Sequence, residues 1–289
     1  MPIYSILPPY QTKELQMNLL HATVLGALQG FTEVLPISSS AHLILVPWLF
    51  GWPESGLTFD VALHLGSFLA LAAYFWRDII ELVVSFFDAV ANRSLNTPSR
   101  RLPFLIIAAT IPAAVVGKLL EHQVELIFRS NQLLMASFLV AFGLLLGVVD
   151  RVGRKRLELD EITPTSAMTI GLLQCLALIP GVSRSGITIT AGLLLGFTRE
   201  SAARFSFLIS LPIVAGAALL KTVHLAKHGI PVGDGLPMLV GIAFSAVTGY
   251  ISIVFLLRLV QKQSLAPFVW YRLIVGGGLI IAILSGFKG

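Results

Sequence analysis

The chain has 289 residues, of which 56% are hydrophobic and only 12% charged, with a mean hydropathy of +0.86. Soluble domains carry about 25% charged residues, so this composition excludes a soluble protein and points to an integral membrane one. The formal net charge of +5 is the ordinary surplus of cytoplasmic loops facing anionic lipid and gives no reason to expect nucleic acid.

Apolar runs are too long, and alternation too weak, for a transmembrane barrel; the fold class is therefore all-α, a polytopic helical bundle. Residues 1–16 are polar, contain Pro8-Pro9, and have neither a basic n-region nor a small-residue cleavage site. They read as a disordered extension rather than a signal peptide, ahead of one membrane domain over 17–289. The first apolar stretch, 18–50, is broken near its middle by Pro36 and a serine cluster. Unbroken runs of about the 20 residues that a span needs follow at 58–76, 102–119, 131–149, 201–220, 236–258 and 265–286. The segment 79–91 is shorter and amphipathic and is expected at the membrane interface. A second broken stretch occupies 165–197 and contains the single cysteine, Cys175, which excludes an internal disulfide and reads as packing. Non-helical backbone at membrane depth is tolerated only where it lines a cavity inside protein, so both broken stretches are predicted to be re-entrant helical hairpins.

Loop charge sets the topology. Arg93, Arg100 and Arg101 fall in one connection and Arg151, Arg154, Lys155 and Arg156 in another, two spans later. Both are expected in the cytoplasm, with the mixed loop Glu121–Arg129 outside. The first hairpin then enters from outside and the second from the cytoplasm. The two repeats, about 17–149 and 164–286, are inverted, and their broken tips meet near the midplane.

The tips carry the chemistry. Gln29-Gly-Phe-Thr-Glu33-Val-Leu-Pro36-Ile-Ser38-Ser39-Ser40-Ala-His42 sets a carboxylate, a carboxamide, three hydroxyls and an imidazole in apolar sequence. Unpaired polar groups there cost several kcal/mol each. Gln29 and Glu33 share one face of the incoming helix, where the carboxylate can hold a divalent metal or steady the histidine. If a helix starts near Ser39, its hydroxyl and the His42 imidazole share a face, the geometry in which a histidine deprotonates a serine nucleophile or a water. His42 taken alone is better explained by helix packing; together with Glu33, Ser38 and Ser39 it reads as chemistry. In the second stretch, Pro180-Gly-Val-Ser183-Arg184-Ser185-Gly-Ile-Thr188 places an arginine between serines ahead of a helix predicted over 187–197. Capping plus a snorkelling arginine would explain an isolated Ser-Arg-Ser. Beside an inverted partner rich in acid and hydroxyl it reads as an anion site, with phosphate as the guest that matches the guanidinium fork. Asp60 and His64 share a helix face and read as supporting groups. His122, His224 and His228 read as solvated loop residues, the four tryptophans 48, 52, 76 and 270 as interfacial anchors, and Pro112 and Pro212 as kinks.

On these residues the chain resembles the undecaprenyl-diphosphatase family, bacterial enzymes linked to bacitracin resistance. The (E/Q)-x-x-x-E motif stands as Gln29-x-x-x-Glu33, Pro-x-Ser-Ser-x-x-His as Pro36 to His42, and P-G-x-S-R-S-x-x-T as Pro180 to Thr188. Pieces at Phe59–Ser67 and Ser206–Leu208 match too, and the likeness runs from Met17 onward. Gln29 takes the amide option where some members have a second acid. The resemblance implies hydrolysis of a polyprenyl diphosphate lipid at the outer face of the bacterial cytoplasmic membrane, with Ser39 as nucleophile and His42 as general base or acid. It implies that Arg184 binds the diphosphate with Ser38, Ser183, Ser185 and Thr188, and that Glu33 with Gln29 places Mg²⁺ or Ca²⁺. Phosphoserine formation and direct attack by water both stay open, as does the oligomeric state, a homodimer being one option. The rival readings are a flippase or anion transporter, which shares the inverted-repeat architecture, and the type 2 phosphatidic acid phosphatases. The latter need a histidine and an aspartate soon after Ser-Arg, whereas the next histidine here is His224.

Overall fold

The computed structural model describes residues 18–53, 56–128, 131–228 and 235–287, and the expected extension at 1–16 lies outside them. Among the described residues the regular elements are helices, joined by one isolated bridge between Leu157 and Phe197. In order they are α1 (Leu19–Val34), α2 (Ser39–Phe50), α3 (Gly56–Tyr74), α4 (Trp76–Asn92), α5 (Pro98–Phe128), α6 (Gln132–Val152), α7 (Pro164–Gln174), α8 (Arg184–Leu194), α9 (Arg199–His228), α10 (Gly235–Lys262) and α11 (Ala266–Leu284). Among the described residues five stretches are long and apolar enough to cross a membrane: Pro98–Leu120, Gln132–Val152, Arg199–Leu219, Gly235–Lys262 and Ala266–Leu284. This is a multi-pass membrane protein. The run expected to span at 58–76 forms a helix whose apolar part, Thr58–Tyr74, is shorter, like Ser39–Phe50 and Pro164–Leu178.

Both broken stretches are helix–break–helix. Asn18 starts the first by accepting from the His21 amide, and α1 runs to Val34 before the chain opens at Leu35–Ser38. In the second, Thr163 and Ser166 form a capping box with Pro164 at the first helical position, a strong start signal. Helix α7 tightens into a 3-10 turn at Cys175–Leu178 and breaks over 179–183. Each break ends on a serine in the left-handed region, Ser38 at φ 75° and Ser183 at φ 73°, and each serine is the residue before the next helix. That conformation is rare for a residue with a side chain and marks a position held by its surroundings. The returning helix starts at Arg184, three residues earlier than its predicted start, because the Ser183 hydroxyl caps it by accepting from the Gly186 amide. It also ends earlier, at Leu194, with Gly196 turning the chain at φ 95°.

The halves of the chain interlock. Helix α1 lies along α10, where a Cβ on Gly26 would stand 2.4 Å from the Gly241 carbonyl oxygen. Helix α7 lies along α5, where a Cβ on Gly171 would stand 2.4 Å from the Ala109 oxygen. Each hairpin therefore packs on a helix of the other half, at contacts so close that only small residues fit. One apolar core runs through both halves, including Val34, Leu71, Ile106, Ile170, Ile189, Phe207 and Ile253. The amphipathic α4 lies against α5, and two of its acids are paired with arginines: Asp78 accepts from Arg204, and Asp88 from Arg100. Its Ile80, Val84 and Phe87 are exposed. Pro112 and Pro212 lie within α5 and α9, and so do His122, His224 and His228, which the helices carry beyond the expected loop boundaries.

Candidate active site

The breaks bring together side chains far apart in sequence. Glu33, one residue from the end of α1, is buried, and three donors meet its carboxylate. Arg184 Nη2, 151 residues away, donates to Oε1 at 2.9 Å, and Ser39 Oγ donates to Oε2 at 2.5 Å. Gln29 Nε2 donates to Oε2 at 3.2 Å from one turn back on α1. His64 Nε2 stands 3.6 Å from the same oxygen, its other nitrogen donating to the Asp60 carbonyl, so α3 supplies the supporting group expected of it. Behind Gln29, Ser67 and Ser245 continue the polar contact, with Ser67 Oγ 3.3 Å from Gln29 Nε2 and 3.1 Å from Ser245 Oγ.

Two buried polar atoms in this cluster have no partner: Arg184 Nη1 and Gln29 Oε1. A buried unsatisfied group is costly and marks a place where a ligand is expected. Here the two are of opposite kind, a cationic donor and a neutral acceptor. The first-turn amides of α2 and α8 lack helical acceptors, and both helix starts lie at this junction.

Ser39 and His42 do not pair with each other as their spacing on one helix suggested. His42 Nδ1 donates to the Ser38 carbonyl at 2.7 Å, and its Nε2 lies 2.8 Å from the Tyr271 hydroxyl, the two rings stacked with centroids 5.6 Å apart. Since a carbonyl only accepts, the proton on Nδ1 is fixed by that bond. Ser39 instead turns to Glu33.

The hydroxyls of both stretches hold the tips to each other. Ser38 Oγ accepts from the Gly181 amide at 3.1 Å and lies 3.3 Å from Ser40 Oγ. Ser183 Oγ is 3.2 Å from Ser185 Oγ, which donates to the Leu35 carbonyl at 3.0 Å. Thr188 Oγ1 donates to the Arg184 carbonyl at 2.7 Å and meets Ser206 Oγ at 2.6 Å. The sequence reading passed over Tyr271 and Arg272. The second had a signal, since a charge inside an apolar span is by default functional.

Among the described residues no three or more His, Cys, Asp or Glu side chains come together as a metal-ligand set. The oxygen donors at the centre are those of Glu33 and Gln29.

Comparison with known proteins finds relatives over nearly the whole chain. The family model described as "Bacitracin resistance protein BacA" matches residues 22–278. An undecaprenyl-diphosphatase of Pelobacter propionicus is 69% identical over 273 residues, covering 94% of this chain and all of that protein. One from Geobacter metallireducens is 62% identical over 269 residues, covering 93% of this chain and all of that protein. A more distant one, from Thermomicrobium roseum, is 43% identical over 274 residues, 92% of this chain and 99% of that protein.

Proposed function

The chain belongs to the bacitracin resistance protein BacA family, and we propose that its chemistry runs at the Glu33–Ser39–Arg184 cluster. It is an undecaprenyl-diphosphate phosphatase: it hydrolyses undecaprenyl diphosphate to undecaprenyl phosphate and inorganic phosphate, recycling the lipid carrier of peptidoglycan synthesis and conferring bacitracin resistance. The observation that carries the site assignment is the buried Arg184 guanidinium, with one amino group on Glu33 and the other unpartnered. The free amino group and the nearby helix N-termini suit a terminal phosphate, whose oxygens accept from both.

In this scheme Ser39 Oγ attacks the terminal phosphorus, the bond from that phosphorus to the bridging oxygen breaks, and undecaprenyl phosphate leaves with the bond's electron pair. Glu33 takes the Ser39 proton through the bond they already share. Phosphoryl transfer passes through a loose transition state in which the nucleophile needs little deprotonation, so a carboxylate paired with an arginine suffices. Arg184 neutralises the charge on the transferring oxygens. Water then attacks the phosphoserine, releasing inorganic phosphate and restoring Ser39. We place His42, oriented by the Ser38 carbonyl and Tyr271, at this water step. Ser38, Ser183, Ser185 and Thr188 are engaged with each tip's backbone and side chains, so their part is to hold Arg184 and Ser39 in position.

The site's donor set fits a hard divalent cation, Mg²⁺ or Ca²⁺. Gln29 Oε1 is unpartnered and Glu33 Oε1 retains a lone pair beside its bond to Arg184. Mg²⁺ is commonly held by one or two protein oxygens with the rest from substrate phosphates. Gln29 and Glu33 would hold it, and it would supply charge neutralisation at the diphosphate. Charge asymmetry of the loops supports a cytoplasmic-membrane protein with the site opening outward.

The test is phosphate release by the purified protein from C55 diphosphate in detergent, where no gradient exists, followed by trapping of a phosphoserine at Ser39. No release from folded protein would overturn the hydrolytic reading in favour of transport. Release without a trapped phosphoserine, with Ser39→Ala still active, would leave Ser39 as a phosphate ligand and give the attack to water.

A further inference from the structure

Arg272, in the second turn of α11, is fully buried, and no carboxylate accepts from it. An arginine has five N–H donors, and here each finds a backbone carbonyl. Nε donates to Leu139 on α6 at 2.9 Å; Nη1 donates to Pro36 and to Val182, both at 3.2 Å; Nη2 donates to Gly181 at 2.7 Å and to Val182 at 3.2 Å. Pro36 belongs to the first break, Gly181 and Val182 to the second. These carbonyls lie where helical hydrogen bonding has lapsed, and each is one or two residues from a serine in the left-handed conformation, Ser38 or Ser183. A single side chain thus joins both tips and ties them to α6.

We propose that Arg272 is the positioning residue that holds the two broken hairpins in register, and through them sets the reach of Arg184 and Ser39 to Glu33. The proposal rests on the catalytic reading of that cluster. Burying an unpaired guanidinium is costly, and a purely structural cross-link between tips could be made with neutral groups. What the fork supplies is geometry: five bonds from one rigid plane fix both breaks relative to each other, whereas a neutral donor fixes one. Ser38 and Ser183 each lead directly into a reacting or binding residue, Ser39 and Arg184. Any slip of one tip past the other changes the 2.9 Å and 2.5 Å contacts on Glu33. The preceding residue, Tyr271, meets His42, so the same turn of α11 also orients the imidazole.

Two neighbouring glycines on α6 allow a test that leaves the charge in place. A Cβ on Gly143 would stand 3.0 Å from Arg272 Cβ and 3.4 Å from its Nε, so an alanine there displaces the arginine by a few tenths of an ångström. A Cβ on Gly147, one turn away in the same α6–α11 seam, would stand 3.0 Å from Val269 Cγ1 instead. Gly143→Ala, Gly147→Ala, Arg272→Lys and Arg272→Met are each purified as the full chain, melted in detergent and assayed on C55 diphosphate. Misplacing reacting groups by 1 Å costs about 10²-fold. Gly143→Ala is therefore expected to lower kcat by about tenfold, more than it raises KM, while Gly147→Ala keeps the wild-type kcat at a comparable melting temperature. Lysine keeps the charge but has no fork, so Arg272→Lys is expected to lose about 10²-fold or more in kcat, and methionine at least as much. Equal losses in both glycine variants, or a Gly143→Ala or Arg272→Lys enzyme with wild-type kcat, would overturn the proposal. Inactive wild-type protein would instead sink the catalytic reading itself, so the two failures are distinct.

Discussion

Removing the charge of Glu33 is expected to destabilise the protein, and removing the charge of Arg184 as well is expected to restore it. The two side chains are 7% and 13% exposed and 2.9 Å apart, so little solvent screens them. Breaking such a pair from one side leaves an uncompensated buried charge, at a cost of about 3–5 kcal/mol. Glu33→Gln keeps the shape and can still accept from Ser39, so nearly all of its effect is that orphaned guanidinium. Arg184→Gln should cost less, because Ser39 and Gln29 still donate to the remaining carboxylate, and bonds to a charged group are worth about 1.5–3 kcal/mol each. With both replaced, neither partner leaves an orphaned charge at this position, and the double variant should return to within about 2 kcal/mol of wild type. The assay is a double-mutant cycle on unfolding in detergent, with phosphate release measured on the same samples. Activity should stay lost in all three variants, since losing even one transition-state donor costs about 10²–10³-fold. Additive destabilisation in the double variant, or a Glu33→Gln protein as stable as wild type, would show that the pair does not exist as a buried ion pair and would refute the reasoning.

Other outcomes follow from the same geometry. Ser39→Ala should lower kcat by on the order of 10³-fold or more, and adding Glu33→Gln should cost little further, because groups that act as a unit are non-additive; a multiplicative loss in kcat would separate them. Arg184→Lys should retain only about one per cent of activity, about 10²-fold down, since the charge stays but the fork that spans Glu33 and a phosphate is gone. Gln29→Ala should raise the Mg²⁺ concentration needed for half-maximal phosphate release severalfold, and an unchanged requirement would remove Gln29 from the cation site. Cysteines at Ser94 and Arg154 should be labelled from the cytoplasm and one at Gln123 from outside; labelling the first two from opposite sides would break the inverted topology.

The breaks were legible in the sequence because proline and small polar residues interrupt runs that are otherwise apolar, and backbone chemistry in a membrane leaves few other readings. So was the meeting of the two polar stretches, but not the bond between Glu33 and Arg184: the sequence assigned the carboxylate to a metal or to the histidine and the guanidinium to a phosphate, and only the fold sets them 2.9 Å apart. The partner of Ser39 was not legible. Helical spacing put its hydroxyl on the face of His42, but that argument applies only within a helix, and the competing acceptor lies six residues back across the break. His42 itself is drawn away by the carbonyl of Ser38 and by a tyrosine 229 residues distant, neither of which periodicity carries. The start of α8 was misplaced for a related reason. Arg184 was read as part of a turn, while Ser183 in the left-handed conformation lets it begin the helix.

That conformation explains why the site needs two broken hairpins rather than one. At each break the chain must reverse within a few residues while leaving carbonyls and amides without helical partners, which is unfavourable in an apolar setting. Each tip satisfies part of itself, the Ile37 amide donating to the Leu35 carbonyl and the Val182 amide to the Ile179 carbonyl, and leaves other groups for a partner. Set tip to tip, each supplies what the other lacks: the Gly181 amide donates to Ser38, and Ser185 donates to the Leu35 carbonyl. The carbonyls still unmatched, at Pro36, Gly181 and Val182, fall to Arg272. The side-chain groups left over at the junction after this mutual satisfaction are one amino group of Arg184 and the Gln29 carbonyl oxygen, beside the starts of α2 and α8. The donor among them suits phosphate oxygens and the lone acceptor suits a cation travelling with them, so the binding site is the remainder of the hydrogen-bond accounting at the junction. A substitution that leaves those residues untouched but gives either tip a different partner should therefore weaken catalysis as surely as changing Arg184.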